Sequence, residues 1–172
     1  MTLCAQAVRQ RRRRGSQLVE MALILLPFMA IFCGFFDVCL AIMKWTTLQN
    51  AVREGCRYAV TFRTMSGMGQ DMSIKTVVQG YSFGMVSAAA SPAQITVNYY
   101  TTSAPNTLIA APNGNTPGNI VEVSVPNAPW AWIAPISGSL LNPRYATSPL
   151  SITVTSADIL GGYPAGVVSV SR

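Results

Sequence analysis

Three features of this 172-residue sequence predict an α+β fold. Met21–Met43 is apolar throughout except for Asp37. From Leu48 to Phe62 the apolar residues Leu48, Val52, Cys56, Ala59 and Phe62 recur three or four apart, a helical spacing. Beyond Ser91-Pro92 the pattern changes to strict alternation, as in QITVNYYT over Gln94–Thr101, which is the period of a half-buried strand. The expected architecture is a long N-terminal helix over 16–64, transmembrane over about 21–43, packed by its outer half against a small antiparallel sheet and a second helix. Residues 1–15 form a basic leader, and 65–172 form the α+β domain.

The 23 residues Met21–Met43 would span roughly 35 Å as a helix, enough for a hydrocarbon core of about 30 Å. Only 10% of the residues are charged, against about 25% in an ordinary soluble domain. The net charge of +6 is concentrated: Arg9 and Arg11–Arg14 supply five of the charges, leaving a formal +1 from Ser16 onward. A basic run of that kind can be a nucleic-acid signal. Beside a spanning segment, the preference of positive residues for the cytoplasmic side explains Arg11, Arg12, Arg13 and Arg14 better, and no nucleic-acid partner is expected. A cleaved secretory signal is disfavoured, because its apolar region would be shorter and Lys44-Trp45-Thr46-Thr47 is no small-residue cleavage site.

Within the apolar run three features stand out. Pro27 lacks a backbone donor and crowds the carbonyl of Leu23, so a kink or local opening is expected. Ala30 and Gly34 form a small-x-x-x-small pair that permits close helix approach. Asp37 costs roughly 2.5–3.5 kcal/mol at the centre of a spanning helix. It is either hydrated near the outer interface or in polar contact with a partner helix. Trp45, next to Lys44, suits an aromatic anchor at the outer boundary. With no proline from Phe28 to Ser91, the helix is expected to continue to about Phe62, its outer half amphipathic with Arg53, Glu54 and Arg57 off the apolar face.

Gly67 and Gly69 in Met65–Gln70 break that helix. Ile74, Val77, Val78, Tyr81 and Met85 then predict a second helical stripe, closed by Ser91-Pro92. Strands are expected at Gln94–Thr101, Asn119–Val125 and Ser151–Thr155, with Ile95/Val97/Tyr99, Val121/Val123/Val125 and Ile152/Val154 facing inward. The segments between them hold Pro105, Pro112, Asn113-Gly114, Pro117-Gly118, Pro126, Pro129 and Pro135, which are loop signals. Gly166–Val170 could add an edge strand. Trp130, Trp132 and Ile133 either anchor a long loop by burial or present an adhesive patch.

Catalysis finds little support. There is no histidine, which removes the commonest general base and zinc ligand. After Thr64 the acidic residues are Asp71, Glu122 and Asp158, too scattered to suggest a pair. No phosphate-binding, dinucleotide or nucleophile-elbow motif occurs. Cys4, Cys33, Cys39 and Cys56 make no disulfide framework or CxxC pair. Neither enzymatic activity nor a cofactor is expected.

Arg14-Gly15-Ser16 followed by Glu20 and a long apolar helix resembles the type IV prepilin signature. The fuller set Gly15, Val19, Glu20, Ala22, Leu23, Pro27, Gly34, Asp37, Asn50-Ala51, Arg53-Glu54-Gly55 and Arg57-Tyr58-Ala59 is similar to TadE-like pseudopilins of the tight-adherence pilus system. The resemblance covers about Arg14–Ala59. It implies a type IV pilin-like architecture and a structural or assembly role in adhesive pili. It further implies cleavage between Gly15 and Ser16 by a prepilin peptidase. Anchoring in the bacterial inner membrane with the N-terminus cytoplasmic follows from it as well. Glu20 and Asp37 would serve subunit assembly, and Pro27, Ala30 and Gly34 helix packing. The implied partners are membrane lipid, other pilus subunits, the peptidase and the inner-membrane assembly platform. The alternative is a signal-anchored periplasmic ligand-binding module outside any filament, which would not need Glu20 where it stands.

Overall fold

The computed structural model describes residues 2–110, 113–130, 150–166 and 171–172, with side chains from Gln17 onward except at position 150. The chain forms helices α1 (Thr2–Val60) and α2 (Gln70–Tyr81), then strands β1 (Thr96–Thr101), β2 (Ala104–Leu108), β3 (Ile120–Trp130) and β4 (Leu150–Ile159). The strands make one antiparallel sheet in the order β2-β1-β3-β4. This is the expected α+β class. The chain divides into two compact units, 1–40 with 132–148, and 41–131 with 149–172.

Helix α1 begins well before Ser16 and passes through Gly15 and Pro27 without interruption. The leader is rich in Ala, Gln and Arg, all good helix formers, so nothing local stops the helix there. Its other end matches expectation closely. Thr61 and Phe62 donate to Tyr58 O and Ala59 O in a tight last turn, and Phe62 adopts a left-handed φ of 50°.

The core of the second unit lies between the outer half of α1, α2 and the inner face of the sheet. Leu48, Val52, Cys56, Ala59 and Phe62 are all buried, as their spacing predicts, and so are Ile95, Val97, Tyr99, Val121, Val123, Val125, Ile152 and Val154. Arg53 and Arg57 are exposed, the latter paired with Glu54 at 3.1 Å. Gly55 sits where α2 crosses α1: a Cβ there would lie 2.5 Å from Val78 Cγ2. The absence of a side chain at 55 therefore sets how closely the helices meet.

Three elements depart from expectation. Helix α2 stops at Tyr81 rather than continuing to Met85, because the chain turns left-handed at Phe83 (φ 52°) and Gly84 (φ 76°). Gly84 N donates to Gln79 O and Phe83 N to Gly80 O, which closes the helix with the crossed bonds of a Schellman motif. Tyr81, expected on the buried stripe, is exposed. Strand β2 was expected as loop on account of Pro105, yet it pairs with β1 at the sheet edge, where a missing N–H is tolerated. Strand β3 runs five residues past Val125, through Pro126 and Pro129. It does so with a bulge: Val125 faces Val154, but the next paired residue, Ala128, faces Ile152. The extra residue on β3 reverses its alternation, so Ala128 is buried and Trp130 packs against the core. Of the proposed tail strand, residues 167–170 lie outside the described residues, as do Trp132 and Ile133.

Candidate functional site

The candidate segment is α1 itself. From Gln17 to Met43 nearly every side chain is exposed, including Leu23, Ile24, Leu26, Phe28, Ile31, Phe35, Phe36, Ile42 and Met43. It is the one helix among the described residues that is long and apolar enough to cross a membrane. An exposed apolar surface of this size is unusual on a soluble monomer, and it is suited to lipid or to partner helices. Glu20 is exposed at the start of the run.

Ala30, Gly34 and Asp37 break the exposure. Spacings of four and three put them on one helix face, which joins the small-residue pair to the carboxylate. Asp37 is 2% exposed and is engaged by its surroundings. Of the two expectations for Asp37, hydration near the outer interface does not fit this burial. A Cβ added at Gly34 would meet nothing within 4 Å among the described residues. Arg11–Arg14, Gly15 and Ser16 lie within the helix, with their side chains outside the described set.

At the other end of the apolar run, Lys44 does not reach outward. Its Nζ donates to Pro129 O at 2.7 Å and stands 5.8 Å from the centre of the Trp130 ring. Trp130 Nε1 is enclosed and finds no acceptor among the described residues. Thr46 and Thr47 turn back to donate to Met43 O, which keeps their hydroxyls off the apolar surface.

Above this end the unit is held by polar contacts that no sequence spacing reveals. Gln70 Nε2 donates to Ala59 O at 3.0 Å, satisfying one of the last carbonyls of α1, and Gln70 Oε1 accepts from Asn115 Nδ2. Gln70 N donates to Ser171 O, and Arg172 O lies so near Gly69 that a Cβ there would be 2.2 Å from it. Arg172 Nε donates to Asp71 Oδ2 at 3.0 Å, its Nη1 donates to Asn113 O, and its guanidinium stacks 4.5 Å from the Tyr99 ring centre. Tyr99 OH donates to Asp71 Oδ1 at 2.8 Å. Burial pushes the Tyr99 phenol far above its usual pKa, and the neighbouring Asp71 charge adds to the rise. Cys56 Sγ donates to Ser156 O at 3.1 Å, and burial raises its pKa too, so this thiol is a packing group. Among the described residues no cluster of acidic, cysteine or histidine side chains could hold a metal ion.

Comparison with known proteins bears on the helix alone. Residues 15–57 match the model of the family described as TadE, TadE-like protein. No curated protein and no solved structure matches the chain. The match begins at Gly15, takes in the apolar run with Glu20, Pro27, Gly34 and Asp37, and ends within the α1 stripe that walls the core. The likeness is confined to the segment from Gly15 to Arg57, which is similar to TadE-like proteins of Tad pilus systems.

Proposed function

We propose that the protein is a pseudopilin or minor pilin of a Tad-type adhesive pilus, a structural or assembly subunit anchored in the inner membrane. The supporting observation is the coincidence of the TadE-like match with the exposed apolar half of α1. Arg11–Arg14 hold the N-terminus in the cytoplasm, and a prepilin peptidase removes residues 1–15 between Gly15 and Ser16. The new Ser16 α-amino group, with an ordinary pKa of about 7.7–8.0, then carries a positive charge at neutral pH. Glu20 of one subunit meets that ammonium on a neighbour inside the apolar bundle. Either charge left alone there costs several kcal/mol, so the pair acts as a register for docking. Ala30 and Gly34 let a partner helix approach.

The test is Glu20→Ala in cells that assemble the pilus. Insertion and cleavage should stay near normal while cross-links to other pilus subunits and the number of surface pili collapse. Undiminished cross-links with normal piliation would favour an anchored module outside the filament. Intact mass of membrane-extracted protein should show a chain starting at Ser16.

A further inference from the structure

The second unit carries its own marker of where lipid ends. Ile42 and Met43 are exposed apolar residues, and Lys44 and Trp45 follow them directly. Lysine and tryptophan at the end of an apolar helix occupy the headgroup layer, whose thickness is about 5–8 Å on each side of the hydrocarbon. Lys44 is bound to the far end of β3: its ammonium is 2.7 Å from Pro129 O and 5.8 Å from the Trp130 ring. That separation is no greater than the layer is thick. Trp130 therefore stands within one layer's thickness of Lys44.

We propose that the Trp130 end of the β3–β4 ladder is a lipid-contact surface, lodged in the headgroup layer of the membrane that α1 crosses. This rests on the membrane-anchored reading of α1. Two observations favour lipid over a protein partner. Lys44, which binds this end of the sheet, follows directly on the exposed apolar residues Ile42 and Met43. The bulge in β3 turns Trp130 toward Lys44, on the α1 side of the sheet, where regular alternation would send it to the opposite face. The ammonium of Lys44, held by a backbone carbonyl, then fixes the sheet's height above the hydrocarbon rather than reaching for a lipid phosphate.

Tryptophan quenching in reconstituted full-length protein tests this. In Trp45→Phe with Trp132→Phe, Trp130 is the remaining tryptophan; in Trp130→Phe with Trp132→Phe, Trp45 remains. Phospholipids brominated near the carbonyl should quench Trp130, and those brominated near the chain end should quench it much less. Quenching of Trp45 without quenching of Trp130 would overturn the inference and leave the anchor intact. Quenching of neither would instead remove the membrane reading beneath it. A measurement that keeps the tryptophans uses a nitroxide at Ser151→Cys, beside Pro129, and at Thr155→Cys, further along β4, with the native cysteines changed to alanine. The label at 151 should collide more with oxygen and less with a water-soluble nickel complex than the label at 155. Equal accessibility at both sites would also overturn the inference.

Discussion

Gly55→Ala offers a direct measurement of how tightly the two helices meet. The added methyl would stand 2.5 Å from Val78 Cγ2, 3.6 Å from Val123 Cγ1 and 3.7 Å from Ile74 Cγ2. Carbon atoms rest about 3.5–4.0 Å apart, so the first contact must open by about 1 Å while the other two are acceptable. Val78 cannot swing aside easily, because a β-branched side chain in a helix has one strongly preferred rotamer. Overpacking of this kind costs about 1–3 kcal/mol. Against it stands the gain from replacing glycine by alanine in a helix, about 0.8–1.0 kcal/mol. The expected balance is a net loss of up to about 2 kcal/mol. Gly80→Ala in α2 is the matched control, since its methyl would meet nothing within 4 Å. It keeps the propensity gain and should stabilise by about 0.4–1 kcal/mol. In detergent-solubilised full-length protein, urea midpoints followed by tryptophan emission should therefore move in opposite directions. Adding Val78→Ala to Gly55→Ala should cost less than the sum of the single changes, because the new methyl fills part of the space vacated. If Gly55→Ala raised the midpoint as far as Gly80→Ala, the close crossing of α1 and α2 would be refuted.

Val52 is fully buried and Arg53 is exposed, so Val52→Asp should destabilise by about 3 kcal/mol or more through an unpaired buried carboxylate, while Arg53→Asp stays within about 0.5 kcal/mol. Equal losses in a thermal melt would show the helix face to be wrongly placed. Tyr99→Phe removes a hydrogen bond to the Asp71 carboxylate and should cost about 1–2 kcal/mol at neutral pH. The folded state holds the Tyr99 proton more tightly than the unfolded state, so this contribution is complete below the unfolded pKa of about 10 and declines as pH rises above it. The stability gap between the parent chain and Tyr99→Phe should accordingly narrow above about pH 10; a gap unchanged through that range would mean the phenol ionises alike in both states.

The parts of this fold that were legible in the sequence are those carried by periodicity. Leu48, Val52, Cys56 and Ala59 declared the buried face of α1, and alternation at Ile95/Val97/Tyr99 and Val121/Val123/Val125 declared the inner face of the sheet. Periodicity failed where backbone geometry overrode side-chain pattern. Pro105, Pro126 and Pro129 resemble loop residues until it is known that one lies on an edge strand and the others flank or follow a bulge. The α2 stripe continued in the sequence to Met85, but a left-handed turn at Phe83 ended the helix, and phenylalanine gives no warning of that conformation. Contacts between distant positions left no trace at all. Gln70 with Asn115, Arg172 with Asp71, and Lys44 with Pro129 are each pairings of ordinary residues whose separations follow no local rule. Of the apolar segment, Glu20 and Asp37 stood out as charges, but the enclosure of Asp37 could not be inferred from its neighbours in sequence.

The outer half of α1 has a consequence for anyone seeking a water-soluble form. Met43 closes the exposed apolar run and Leu48 is already core, so the chain can be cut only within Lys44–Thr47. A cut any later would strip a wall from the domain. A cut within the window uncovers the first-turn amides of a helix that formerly had a preceding turn to accept them. The sequence there holds a remedy. Thr46-Thr47-Leu48-Gln49 has the spacing of a capping box, a threonine followed three residues later by glutamine. In the intact chain the Thr46 hydroxyl donates backward to Met43 O. With Met43 gone it can instead accept from the Gln49 amide and begin the shortened helix. A cut after Lys44 also removes the ammonium that binds Pro129 O and so frees the Trp130 end of the sheet.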